Sequence, residues 1–290
     1  MLTYIEGQGF STVDLPEDVS LKEESKVISN YPMPDIFVVE MLDCNYERQG
    51  MLKKHTHKLV VFDDLLDHIY CADLVVCGQA LPDYGNKDIS GAETKFLIGF
   101  DYFLCRPEFV PFHKKDRSHS ESVKNVLVSL GGGRYDIGYL KVAYALKEFG
   151  DSINATFILG YAASDKLRGE IRKILPRAKI HQGVNDIERF LWETDLAVVS
   201  GGYTKLEATI TGTPALVMSV QWHQIPLAEE FSRLTGIPHV GYMSFVSPDK
   251  LRKHIEQYHS LSKRKELSSK AHSIIDGRGF ERVYSMMVQG

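Results

Sequence analysis

The sequence predicts an α/β fold of two lobes, each built around a parallel β-sheet. Short apolar runs of strand length alternate with helical or loop segments in both halves of the chain, which is typical of strands buried on both faces of a sheet. The 290 residues are enough for two domains of ordinary size. A polar segment without periodicity at 107–124 resembles an interdomain linker. We therefore predict an N-terminal lobe at 1–115 and a C-terminal lobe at 116–290.

The N-terminal half contains four apolar runs with the length of strands, and residues 46–54 between the first two can form a helix. Residues 8–16 have the character of a further strand of this lobe. The four strands are predicted at 35–41, 58–62, 72–77 and 95–99.

The same alternation is clearer in the C-terminal half, although the chain has no internal repeat. Strands are predicted at 126–130, 156–159, 179–181, 196–199 and 215–220. Helices are predicted at 139–149, 164–174, 186–192, 226–234 and 248–258.

Composition excludes several classes of protein. Apolar residues make up 43% of the chain and charged residues 25%, as in soluble globular proteins. The net charge of -4 provides no basic surface for nucleic acid or for an anionic membrane. No apolar run approaches the roughly 20 residues that span a bilayer, and the polar N-terminus does not resemble a signal peptide. We predict a cytoplasmic protein with no membrane span and no nucleic-acid partner.

Neither the cysteines nor the histidines form a pattern typical of metal ligands. The four cysteines are scattered, without a Cys-x-x-Cys pair, and are predicted to be reduced thiols. His55 and His57 lie in a basic run between a helix and a strand, where a solvated connection is favoured over a metal site. We predict no metal and no cofactor.

A glycine turn at 198–207 is the most informative motif. Its sequence, Val-Val-Ser-Gly-Gly-Tyr-Thr-Lys-Leu-Glu, predicts a buried strand, a tight turn and the first turn of a helix. Glycines allow the backbone to approach a ligand, and the N–H groups of an opening helix can bind phosphate. Glu207 follows one turn later, where its carboxylate suits neutral donors such as the two hydroxyls of a ribose. Phosphate and ribose together predict a nucleotide, whereas the alternative is a tight turn with a solvated glutamate.

A second polar segment supports the nucleotide interpretation. The apolar run at 215–220 is followed by Gln-Trp-His-Gln at 221–224, ahead of another helix. Its polar residues therefore follow a strand next to the one that ends in the glycine turn. Open α/β sheets bind ligands at this edge.

Several ordered motifs resemble a known family. In the N-terminal half they are Phe-Asp-Asp at 62–64, Ala-Asp at 72–73, Tyr84, Gly-Phe-Asp-Tyr at 99–102 and Arg-Pro-Glu-Phe at 106–109. In the C-terminal half they are Ser-Leu-Gly-Gly at 129–132, Gly-Gly-Tyr-Thr-Lys-Leu-Glu at 201–207 and Gln224. Over about residues 30–245 the chain resembles the nucleotide-sugar hydrolase of the pseudaminic acid pathway and the related spore-coat polysaccharide proteins. More distantly, it is similar to the GT-B transferases that add N-acetylglucosamine to the peptidoglycan lipid precursor.

The resemblance implies a GT-B fold of two Rossmann-like lobes and a UDP-sugar ligand. It implies nucleotide-binding roles for Gly131, Gly132, Ser200, Gly201, Gly202, Tyr203, Thr204, Glu207 and Gln224. Candidate catalytic residues are Asp63, Asp64 and His223, and candidate sugar-binding residues are Tyr84 and His223.

The chain departs from the family pattern at three places. The family's first strand, its glycine loop with the catalytic histidine and the following helix have no counterpart, so we expect an N-terminal lobe without its first strand-loop-helix. Tyr203 replaces a serine that donates to phosphate, although backbone N–H groups and Thr204 can still donate. His223 stands where the family usually has asparagine.

Each candidate catalytic residue has a structural alternative. Asp63 and Asp64 can orient a sugar amide or a water, can assist a base, or can cap the turn after a strand. His223 can act as a general base, or as a polar loop residue that orients a sugar hydroxyl or packs beside Trp222. Tyr84 can contact the sugar or serve only as a turn residue.

Three functions follow from these patterns. The first is cleavage of the anomeric C–O bond of a UDP-activated amino sugar with transfer of the glycosyl group to water. The second is glycosyl transfer to a sugar or lipid acceptor, and the third is nucleotide-sugar binding without catalysis. A lobe that lacks a central strand exposes sheet edge or apolar surface, which also predicts a homodimer.

Overall fold

The computed structural model describes residues 2–16, 18–41, 43–81 and 93–289. It confirms an α/β chain with two parallel sheets. The chain divides into two compact units. The first unit comprises the described residues of Met1–Val76 and Asp88–Phe96, and the second comprises those of Cys77–Lys87 and Leu97–Gly290.

The first unit is organised by a four-stranded sheet in the order β1-β2-β3-β4. The β1–β2 and β2–β3 pairs are parallel. Its strands are β1 (Ile36–Glu40), β2 (Lys58–Phe62), β3 (Leu74–Cys77) and β4 (Lys95–Ile98). The described helices before β2 are α1 (Leu2–Gly7), α2 (Leu21–Ile28) and α3 (Tyr46–Leu52). All four predicted strands are confirmed.

The strand predicted within 8–16 is wrong. Residues 10–16 have no regular secondary structure. Phe10 is 67% exposed and Val13 is 50% exposed, so this segment has no buried face to fix it against a sheet. A short apolar pattern is therefore not sufficient to form a strand without a neighbouring strand to pair with.

The second unit contains a six-stranded sheet in the order β10-β9-β8-β5-β6-β7, and every adjacent pair is parallel. Its strands are β5 (Asn125–Ser129), β6 (Asn154–Leu159), β7 (Lys179–Gln182), β8 (Leu196–Ser200), β9 (Ala215–Ser219) and β10 (His239–Tyr242). This is the doubly wound order of a Rossmann fold, with the change of winding direction between β5 and β8.

Helices join these strands and complete the second unit. They are α4 (Val110–His113), α5 (Asp136–Lys147), α6 (Asp165–Ile174), α7 (Ile187–Glu193), α8 (Thr204–Ile210), α9 (Gln224–Thr235), α10 (Pro248–Gln257), α11 (Leu261–His272) and α12 (Gly279–Val288). None of the helices in the described ranges combines the length and the apolar character that a membrane span requires.

The segment predicted as a linker is ordered at its start. A 3-10 turn at Pro107–Phe109 leads into α4, because proline suits the first turn of a helix. Phe109 is fully buried in the second unit. Further along, the guanidinium of Arg117 donates to the carbonyls of Leu191 and Thr194. Residues 97–115, which the sequence analysis assigned to the N-terminal lobe, thus pack with the second unit.

Candidate functional site

Two glycine loops follow the neighbouring strands β5 and β8 at the point where the sheet changes winding direction. Ser200, the last residue of β8, is buried between them. Its hydroxyl lies 3.6 Å from the position that a Cβ would occupy at Gly131, and 3.6 Å from the corresponding position at Gly202. The structure therefore brings together the two loops that the sequence analysis assigned to nucleotide binding.

The backbone of the second loop offers N–H groups at this edge. The N–H of Gly201 donates to the carbonyl of Met218 at 3.2 Å, which ties the loop to β9. Within the described ranges, the N–H groups of Gly202 and Thr204 have no hydrogen-bond acceptor in the protein. Amides without an acceptor in the protein can bind an anion.

Gly201 is a glycine because Gln224 lies against it. A Cβ at this position would be 2.9 Å from the Cβ of Gln224 and 3.2 Å from the hydroxyl of Ser219. Gln224 is 9% exposed, and its Oε1 accepts a hydrogen bond from the N–H of Val220 at 3.0 Å. The predicted nucleotide-binding residue Gln224 thus packs against the glycine loop, with its amide nitrogen on the side of Gly202.

Glu207 lies in α8, and its carboxylate already has a cationic partner. Arg106 donates from Nε to Oε1 at 3.3 Å, and its Nη2 lies 3.3 Å from the same oxygen. Arg106 also donates to the carbonyl of Asn185 at 3.4 Å. The predicted ribose acceptor is therefore held by an arginine that the sequence analysis had singled out only as part of a family motif.

Burial controls the ionisation of Glu207. Loss of solvent raises the pKa of its carboxyl above the ordinary value, the charge and hydrogen bond of Arg106 lower it, and the nearby carboxylate of Glu188 raises it. Glu188 is itself buried, and its Oε2 has no hydrogen-bond partner among the residues that the structure describes. Arg106 thus faces two acidic side chains, since its Nη2 is 4.0 Å from Glu188.

A cleft beside the loops contains residues that the sequence analysis missed. Gly160 follows β6, and a Cβ there would lie only 2.4 Å from the carbonyl oxygen of Gly131. Tyr161 is 74% exposed and covers Gly183, where a Cβ would be 2.7 Å from the tyrosine ring. The lining of the cleft includes Arg106, Gly131, Gly160, Tyr161, Gly183 and Thr204. The available signal was that Gly160 directly follows an apolar run, and that Gly183 comes just after the strand predicted at 179–181, at the same edge of the sheet.

Lys205 is a further residue whose role the sequence analysis did not predict. It is fully buried beneath the second glycine loop. Its ammonium donates to the carbonyls of Gly201 at 2.7 Å and Gly202 at 3.1 Å. A charged side chain inside a predicted turn normally faces solvent, so the sequence pattern gave no indication of this burial.

His223 directly precedes α9, on the loop that carries Gln224. Within the described ranges its side chain has no hydrogen bond or ion pair. The neighbouring Trp222 is 61% exposed and stacks on Tyr242, with ring centroids 4.3 Å apart. Among the described residues, His223 takes no part in this stacking of Trp222 on Tyr242. Its catalytic and sugar-binding roles stay predictions.

Asp63 has a clear structural role in the first unit. Its Oδ1 accepts from the N–H groups of Leu65 at 2.8 Å and Leu66 at 3.2 Å, while its Oδ2 accepts from the hydroxyl of Tyr70 at 2.6 Å. Asp63 is 3% exposed. These bonds match the turn-capping alternative. The catalytic roles of Asp63 and Asp64 stay predictions, and Tyr84 lies outside the described residues.

Asp63, Asp67 and His68 place potential metal-ligand atoms within 4.8 Å of one another. Both oxygens of Asp63 already accept protein hydrogen bonds, and His68 lies 3.4 Å from the carboxylate of Asp67. The observed contacts explain this cluster by interactions within the protein. The expectation that the chain requires no metal stays a prediction.

The chain is similar to a protein of spore coat polysaccharide biosynthesis, although no protein-family model matches it. It is 26% identical over 260 residues to the spore coat polysaccharide biosynthesis protein SpsG of Bacillus subtilis, which covers 87% of this chain and 76% of that protein.

Solved structures share the fold at low sequence identity. MurG of Acinetobacter baumannii superposes with a TM-score of 0.66 at 12% identity, covering 99% of this chain and 87% of that one. MnaA of Staphylococcus aureus, solved with UDP, gives a TM-score of 0.63 at 12% identity with the same coverage of 99% and 87%. These similarities confirm the resemblance to the spore-coat polysaccharide proteins and the GT-B fold of two Rossmann-like lobes.

Proposed function

We propose that the chain binds a UDP-activated amino sugar and cleaves its anomeric C–O bond, with transfer of the glycosyl group to water. The observation that carries the proposal is the pair of glycine loops at the change of winding direction, with Glu207 one turn into α8. UDP binding in the MnaA structure supports the choice of nucleotide. The similarity to SpsG supports a role in polysaccharide synthesis.

The proposed reaction places specific demands on the site. As the C–O bond breaks, positive charge develops on the sugar and negative charge grows on the departing diphosphate. The N–H groups of Gly202 and Thr204, together with the Thr204 hydroxyl, would stabilise that negative charge without reorganisation. Glu207 would accept hydrogen bonds from the ribose hydroxyls while it remains paired with Arg106.

His223 is the proposed base for the attacking water, because imidazole can accept a proton near neutral pH. Its loop also carries Gln224, which packs on Gly201. A role in orienting a sugar hydroxyl is the alternative for the same side chain. The two roles differ in whether the reaction depends on the protonation state of the imidazole.

Nucleotide binding is tested first, because it does not depend on the reaction. We expect Glu207→Gln to weaken UDP binding by about tenfold in a calorimetric titration, since a neutral amide is a weaker acceptor than a carboxylate. The loss should be smaller with 2′-deoxy-UDP, which lacks one of the two proposed donors. Glu170→Gln changes an exposed glutamate on α6 and is the matched control. Equal binding of UDP by the unchanged protein and the Glu207 variant would reject the ribose assignment.

The reaction type is tested with UDP-sugars that carry acetamido groups. Release of UDP and reducing sugar together, without an added acceptor, supports the hydrolase. Glycosyl transfer is the second candidate, because the sequence also resembles the GT-B transferases that add N-acetylglucosamine to the peptidoglycan lipid precursor. Turnover only in the presence of a sugar or lipid acceptor would replace the hydrolase by that transferase, and UDP binding without turnover would leave a binding protein.

A further inference from the structure

Lys205 is an ammonium buried inside the second unit. Its exposure is 0%. Its Nζ donates to Gln79 Oε1 at 2.8 Å, in addition to the carbonyls of Gly201 and Gly202. Burial of an ammonium is unfavourable unless hydrogen bonds or charges compensate for the lost water. The burial therefore calls for an explanation beyond packing.

The bonds of Lys205 set the direction of the glycine loop. No peptide bond in the described residues is cis. In a planar trans peptide the C=O and the N–H point in opposite directions. The carbonyls of Gly201 and Gly202 turn toward the ammonium, so the N–H groups of Gly202 and Tyr203 point away from it.

Gln79 fixes the ammonium from a different part of the second unit. It is 2% exposed and lies two residues after β3. Phe231 of α9 adds a ring whose centroid is 5.7 Å from Nζ. The charge of Lys205 is thus held under the loop by contacts that are distant in sequence, and a lysine in a solvated turn would have none of them.

We propose that Lys205 is a positioning residue for the diphosphate group of the nucleotide. It holds the loop at 201–203 so that the N–H of Gly202 is directed toward the anion, and it does not contact the nucleotide itself. The inference rests on the proposed function, because it assumes that the loop binds the phosphates of a UDP-sugar. Lys205 would affect the binding of the phosphates alone, while Glu207 would provide the ribose contact.

If Lys205 acts on the phosphates alone, its replacement should weaken the binding of UDP but not of uridine, whereas a general loss of stability would weaken both. Uridine carries the base and the ribose but no phosphate. We expect Lys205→Met to weaken UDP binding by about tenfold or more, because loss of a charge-assisted anchor misplaces the amides, and to leave uridine binding within about twofold. Calorimetry measures the affinity for UDP, and ligand-observed NMR measures the weaker affinity for uridine.

Lys173→Met is the matched control, since it removes an exposed lysine of α6. Gln79→Leu is the second variant, for the case in which Lys205→Met does not fold. It removes one acceptor of the ammonium and should show the same selective loss of UDP binding, at a smaller size. Thermal unfolding confirms that each variant used is folded.

The outcomes separate the two proposals. Selective weakening of UDP binding supports the role of Lys205. If the unchanged protein binds UDP and the folded variants bind it equally well, or lose uridine in the same proportion, the role of Lys205 is wrong and nucleotide binding stands. If the unchanged protein binds neither ligand, the proposed function fails and this inference fails with it.

Discussion

The guanidinium of Arg106 lies against the carboxylate of Glu207, with Nε and Nη2 each 3.3 Å from Oε1. The two residues are 101 positions apart in the chain. The arginine also lies on the lining of the cleft, so it holds the Glu207 carboxylate in one orientation at the candidate site. This ion pair links the folding stability of the second unit to the protonation of Glu207 in its candidate site.

Replacing Arg106 should make stability more sensitive to pH. The pKa of Glu207 is raised from its ordinary value of 4.5 by burial. A raised pKa in the folded state means that stability present below pH 4.5 is lost as pH rises through the folded pKa. Arg106→Met removes the charge that limits this rise in pKa, so the loss should extend to higher pH.

We therefore expect the difference in unfolding free energy between the unchanged protein and Arg106→Met to grow by about 1 kcal/mol between pH 4.5 and 7. The expected difference is small because the arginine side chain is 42% exposed. Urea unfolding at both pH values measures it. The double variant Arg106→Met/Glu207→Gln should lose most of the added pH dependence. The same difference at both pH values would show that the ion pair does not control Glu207.

The two glycines of the second loop should differ in their tolerance of a methyl group. Gly201→Ala places a Cβ 2.9 Å from that of Gln224, whereas the nearest atom at Gly202 would be 3.6 Å away. We expect Gly201→Ala to cost about 1–3 kcal/mol in unfolding free energy, because the packed helix start has to move. Gly202→Ala should have an unfolding free energy close to that of the unchanged protein. Equal unfolding free energies for the two variants would contradict the close approach of Gln224.

Asp63 provides a test between structure and catalysis. Asp63→Asn keeps one amide acceptor but cannot serve all three donors, so we expect a loss of about 1–3 kcal/mol in unfolding free energy. Tyr70→Phe removes one of the same bonds, and a double-mutant cycle should show coupling between the two positions. If Tyr70→Phe keeps full activity while folded Asp63→Asn loses it, the catalytic interpretation gains support. Independent, additive effects on stability would reject the bond to Tyr70.

His223→Asn introduces the residue that the resembling family usually carries. An amide cannot accept a proton near neutral pH, so we expect kcat for UDP-sugar cleavage to fall by about a hundredfold or more, and its pH dependence to flatten. UDP affinity should stay within about twofold, because the proposed phosphate and ribose contacts lie elsewhere. An unchanged kcat with an altered KM would instead assign the histidine to sugar binding.

Most of the sheet could be predicted from the sequence, because parallel strands are buried on both faces and their apolar runs depend little on distant residues. β2 has the predicted bounds of Lys58–Phe62. β10 was missed, because Gly241 interrupts its pattern at a φ of 119° and only Val240 in it is buried. α11 was missed because its sequence, Leu-Ser-Lys-Arg-Lys-Glu-Leu-Ser-Ser-Lys-Ala-His, is too polar to show a clear apolar face.

The sequence by itself determined the α/β class, the two glycine loops and the position of Glu207 one turn into a helix, since these depend on local backbone preferences and on the periodicity of apolar residues. The tertiary structure alone decided the partners of the charged side chains. Arg106 reaches Glu207, and Lys205 reaches Gln79, across separations of 101 and 126 residues. No local pattern encodes such pairs, because a buried charge is placed by whichever acceptors the completed fold brings within hydrogen-bonding distance.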